Sequence, residues 1–169
     1  MSQKGSVGGV RMENESLNKN QSIVVDYLRE SVLENREYSI YFILNNFHYN
    51  IIIGFGNKLI NNAYRNLSIK EQYEVLEKLA YSLLDSTEKK WIDLNKNQVV
   101  VHDYLFETSL HFDKQPFFAI SELCEIISEE LKPKKVINAF NKLSEKEQYE
   151  LLSEFARFQI AFNRIDWDI

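Results

Sequence analysis

Apolar side chains recur at helical spacing in two windows of the chain, and the two windows share one pattern. Residues 62–80 and 138–156 align without a gap at an offset of 76, with 11 of 19 positions identical, among them Leu67/Leu143, Ser68/Ser144, Glu71/Glu147, Tyr73/Tyr149, Leu76/Leu152 and Ala80/Ala156. Each window opens on a Ser-x-x-Glu capping box, in which the hydroxyl and the carboxylate satisfy each other's free backbone N–H groups. Behind each box runs an apolar stripe: Ile69, Tyr73, Leu76, Ala80 and Leu83, then Tyr149, Leu152, Ala156 and Ile160. This spacing predicts amphipathic helices over about 69–84 and 145–162.

The likeness extends outward. Val24-Val25-Asp26-Tyr27-Leu28 matches Val101-His102-Asp103-Tyr104-Leu105 at offset 77, and Trp91 matches Trp167 at offset 76. A repeat of this length signals a tandem unit that shares its core with its neighbour. The first unit is expected to hold helices near 23–34, 38–53, 57–65 and 69–84. Ser22 is the candidate first cap, with Ile23, Val24, Tyr27, Leu28 and Val32 facing inward. In the second helix Tyr38, Tyr41, Phe42, Leu44 and Ile52 are candidates for burial. Phe47, Tyr49, Ile51, Ile53 and Phe55 alternate as a strand would. The counterpart at 116–131 begins with Pro116 and carries helical spacing, so the helical reading is adopted for both.

The fold class expected is all-α, about eight helices from a tandem duplication of a four-helix unit, packed as one bundle or a short helical-repeat stack. Residues 1–21 read as a polar, disordered leader, 22–98 as the first unit and 99–169 as the second, within one compact domain. Ser86–Gln98 reads as a polar linker.

Composition narrows the functional classes. The single cysteine, Cys124, gives no disulfide framework and suits a reducing, cytoplasmic setting. No signal-peptide core is visible, and the apolar run 40–55 is broken by asparagines and too short to span a bilayer, so no membrane partner is expected. The net charge of −5 is concentrated in residues 100–169, which carry eight basic and thirteen acidic side chains. That balance argues against nucleic acid and for a basic partner.

Catalytic and metal motifs are not evident, and no cofactor is expected. Gly54-Phe55-Gly56 lacks the third glycine and the βαβ setting of a dinucleotide site. His102, Asp103, His111 and Asp113 could assemble a metal or catalytic site only if the intervening segment folds back. Asp26 and Asp103 recur in equivalent places, which suits a helix-dipole role. Lys132, Lys134 and Lys135 form a short basic run that would serve a nucleic-acid adaptor.

The acidic residues remain. Glu122, Glu125, Glu129 and Glu130 fall on one face of a helix, and Glu147, Glu150 and Glu154 are expected to form a second outward stripe. Like charges at this spacing repel, so a cluster favours a cationic partner. In size, charge and absence of catalytic motifs the chain is similar to small acidic proteins that neutralise bacterial toxins. The expectation is therefore a non-catalytic inhibitor or immunity protein that occludes the cleft of a basic toxin such as a nuclease. The competing expectations are a helical adaptor for nucleic acid or nucleoprotein and a small metal-dependent enzyme.

Overall fold

The computed structural model describes residues 17–85 and 91–163, and among them every regular element is α-helical. The elements are α1 (Lys19–Glu34), α2 (Ile40–Ile52), α3 (Lys58–Arg65), α4 (Ile69–Leu84), α5 (Lys96–His111), α6 (Pro116–Ser128), α7 (Lys134–Asn141) and α8 (Glu145–Phe162). The expected disorder of residues 1–16 and the match of Trp167 to Trp91 lie outside or partly outside the described residues.

Local chemistry sets the starts. Ser68 and Ser144 accept from the N–H groups of Glu71 and Glu147, and both carboxylates return the bond, completing the two expected boxes. Two further boxes use asparagine and glutamine: Asn18 with Gln21 and Asn95 with Gln98. They correct the expected start at Ser22, which lies inside α1, and they place residues 17–21 in the fold. The boundary drawn between residues 98 and 99 likewise falls inside α5, whose first turn begins at Lys96. Pro116 occupies the first turn of α6, where its missing N–H costs nothing. Gly54 ends α2 at φ 75°, a left-handed conformation that glycine adopts without strain.

Packing follows the same scheme in both halves. α1 lies against α3 and α4, and α5 lies against α7 and α8. The halves meet through like elements: α4 against α8 most extensively, and α2 against α6. Residues related by the offset of 76 exchange partners across this seam. The Cys124 thiol donates to the Tyr41 carbonyl, while His48 stacks on Phe117. Ala80 and Ala156, both fully buried, permit close approach of α4 and α8. The buried apolar residues form one continuous cluster that includes Leu28, Leu44, Leu76, Leu105, Ile120 and Leu152.

Three side chains expected inside are not: Tyr27, Tyr38 and Ile52 are 44%, 62% and 57% exposed. Of the alternating residues, Tyr49, Ile53 and Phe55 are more than half exposed. The alternating stretch 47–55 is helical to Ile52, with Phe47 and Ile51 turned inward.

Candidate functional site

The inner face of α6 buries Ile120, Leu123 and Cys124, leaving Glu125 exposed and Glu122 half-buried on the helix. Exposed Glu129 caps its C-terminus and exposed Glu130 lies in the turn beyond it at φ 51°, so only two of the four expected acids lie within the helix. Among the described residues no cation pairs with any of the four carboxylates. Tyr104 on α5 borders this face: burial raises its phenol, and the carboxylates of Glu122 and Glu125 raise it further.

The α8 carboxylates do not form the expected second outward stripe. Glu147 closes the box on Ser144, whose N–H holds its carboxyl below the usual range, and its other oxygen accepts from Asn95 at 2.6 Å. Glu150 accepts from the Gln98 carboxamide, which also donates to the Glu147 carbonyl. The first half repeats this arrangement, with Asn18 donating to Glu71 and Gln21 to Glu74 and the Glu71 carbonyl. These bonds seat α5 on α8 and α1 on α4. Their carboxylates hold helices together.

Glu154 is the clearest correction, being only 5% exposed. It lies 3.7 Å from Arg157, which also reaches Glu77 of α4 at 3.6 Å. The indole of Trp91 covers the guanidinium at 4.3 Å, and the N–H of Ile92 donates to Glu154. Buried hydroxyls of Tyr81 and Ser153 complete the cluster. Burial raises the Glu154 carboxyl, and nearby Glu77 adds to the shift. Glu154, opposite the apolar stripe of α8, is thus engaged by the backbone of Ile92 and by Arg157, which reaches across to α4. Glu77 and Arg157 carried no sequence signal, and Trp91 only its match to Trp167, because their meeting depends on tertiary packing.

A groove of about 490 Å³ lies between α1 and α2. Tyr27, Ser31 and Asn35 form one wall at a spacing of four residues. Phe42, Asn46 and Asn50 form the other, with Ile43 and Phe47 at the base and exposed Tyr38 at one end. Residues 38–57 contain no Asp, Glu, Lys or Arg. His48, buried behind the groove against Phe117, Phe118 and Tyr64, has its imidazole lowered by burial from 6.5 to about 4.

The His48 shift gives a pH prediction. A histidine whose folded value lies below its unfolded value protonates first in the unfolded chain. Stability therefore falls as pH drops from about 6.5 to about 4 and then levels. His48→Phe should remove up to about 3 kcal/mol of that loss. Urea titrations across this range check it, and parallel curves for the two proteins would refute it.

The remaining candidates stay apart. His102 packs edge-on to Phe155 and Phe158, with its Nδ1 3.7 Å from exposed Asp103. His111, Asp113 and Asp26 are exposed, and among the described residues no group of three His, Cys, Asp or Glu side chains is arranged to hold a metal ion. The buried Cys124 thiol is pushed up to about 12, leaving it unreactive. Lys132, Lys134 and Lys135 are exposed, with Lys134 donating to the Glu130 carbonyl. No helix among the described residues is long and apolar enough to cross a membrane. No protein-family model, curated protein or solved structure matches the chain.

Proposed function

We propose that the chain is a tandem duplication of a four-helix unit whose second copy has become an acidic recognition surface. In this reading it is a non-catalytic cytoplasmic protein-binding module that neutralises a basic toxin such as a nuclease. It occludes the cleft with carboxylates standing where the phosphates of a nucleic acid would lie. The repeat of bonding partners at offsets of 76 and 77 supports the duplication.

The observation that carries the binding role is the contrast between the two sets of acids. Glu147, Glu150 and Glu154 are used within the fold, whereas Glu122, Glu125, Glu129 and Glu130 have no paired cation among the described residues. Their counterparts at offset 76 are Asn46, Tyr49, Ile53 and Gly54, so the helix does not require acid there. Clustered like charge costs a few tenths of a kcal/mol per pair in the free protein, which a cationic partner would recover.

The test is capture from cell extract on the immobilised protein at low salt. The wild type should retain a basic protein that the E122K/E125K/E129K variant does not. Equal retention by both proteins would refute the acidic face as the site. A nucleic-acid gel shift abolished by K132E/K134E/K135E would move the function to the basic run.

A further inference from the structure

We propose that the groove between α1 and α2 is a docking site for an uncharged peptide segment that inserts an aromatic side chain against Phe42. The second half supplies the precedent. Phe112, which terminates α5, lays its ring on Phe118 of α6 with centroids 5.7 Å apart and planes at 15°. Phe42 is the counterpart of Phe118 at offset 76, and Asn35 that of Phe112 at offset 77. Asn35 terminates α1 with φ −129° and ψ 47°, and Phe112 terminates α5 with φ −118° and ψ 38°, so the two backbones run alike. Asn35, however, turns its carboxamide back to the Ser31 carbonyl at 2.8 Å. The position that a phenyl ring fills in one half is open groove in the other.

The lining defines the occupant. It contains no charged group, and a charge buried there would lack a counterion, so the inserted group is neutral. A planar ring is the shape the fold itself uses in the equivalent place, and offset stacking on an aromatic face is favourable beyond simple burial. The volume exceeds one side chain and falls in the range of ligand sites, leaving room for flanking backbone. Asn46 and Asn50, one turn apart on the α2 wall, offer carboxamides to that backbone's N–H and C=O groups. The inference rests on the chain being a protein-binding module with two equivalent units, and it does not depend on the acidic face.

The experiment is a titration of the full ¹⁵N-labelled chain with N-acetyl-tryptophanamide and N-acetyl-tyrosinamide, with N-acetyl-leucinamide as control. The aromatic amides should shift resonances of residues 27–50 at millimolar concentration. Binding should be about tenfold weaker for the leucine amide and for the Asn35→Phe protein, whose new ring fills the groove. Tyr38→Ala alters only an exposed wall residue and should weaken binding too, so the test survives if Asn35→Phe misfolds. The E122K/E125K/E129K variant should titrate like wild type, so loss of the acidic-face effect and loss of this one are separable. Absence of shifts in this segment, or unchanged binding in both groove variants, would overturn the proposal. A concentration-dependent dimer abolished by Asn35→Phe would also overturn it, by placing a second copy in the groove.

Discussion

Replacing Arg157 with leucine is expected to destabilise the protein by about 3–5 kcal/mol in urea unfolding at neutral pH. The Arg157 side chain is 11% exposed and its guanidinium stands between Glu77 and Glu154, whose side chains are 10% and 6% exposed. Removing it leaves two carboxylates buried together without their shared cation. Each loses solvation, and each repels the other in a medium that screens poorly. Trp91 also loses its cation, which loosens the attachment of residues 91–94 to α8.

The sign of the pH dependence follows. The Glu154 carboxyl is already raised by burial, and loss of Arg157 raises it further. A carboxyl with a folded value above its unfolded one contributes stability below the unfolded value and loses it as pH rises through the folded value. The variant should therefore recover part of its deficit on mild acidification, over a range where His48 weakens the wild type. The E77Q/E154Q/R157L protein should regain most of the loss at neutral pH, since replacing a whole buried ion cluster is often nearly neutral. A deficit below about 1 kcal/mol for R157L would show that the cluster is solvated and unimportant.

Phe117→Ala is the second large effect, again about 3–5 kcal/mol. Phe117 belongs to α6 but packs among residues of the first half. Its ring lies 5.3 Å from Tyr64, 5.5 Å from His48 and 6.0 Å from Phe47. It is 1% exposed, so truncation leaves a cavity between α2, α3 and α6. Amide exchange should accelerate in α2 and α3 as much as in α6, because the two halves share one core. Phe162→Ala, removing a ring that is 62% exposed, is the matched control and should change stability by less than about 0.5 kcal/mol. Acceleration confined to α5–α8 would contradict a shared core.

How far the sequence could be read depended on whether each signal was local. The starts of α4 and α8 were legible because a Ser-x-x-Glu box and the stripe behind it lie within one or two turns. Asn18 and Asn95 cap by the same geometry, but Asn-x-x-Gln within polar surroundings resembles a loop, so the expected first cap fell at Ser22 and the expected unit boundary inside α5. Helical period told which residues of α1 and α2 share a face, but not how much of that face a neighbour covers. Tyr27 and Tyr38 therefore line an open groove where burial was expected.

The candidate site was legible in part for the same reason. Glu122 and Glu125 lie opposite the one clear apolar side of a short helix, and Glu129 caps its end. Glu154 also lies opposite an apolar stripe, yet α8 is covered by α4 on one side and by α5 and residues 91–94 on others. No spacing rule on α8 alone could place Glu77 and Arg157 beside it. The groove was invisible because it arises from the contrast between Asn35 and Phe112, which acquires meaning only once both halves are seen folded.

The most direct test of the account is the association rate of the captured basic partner as ionic strength rises, measured for the wild type and for E122K/E125K/E129K. The wild type should associate fast at low salt and slow steeply once the screening length falls to about 8–10 Å. The charge-reversed protein should associate slowly with little dependence on salt. Equal rates and equal salt slopes for the two proteins would contradict recognition through the α6 acids.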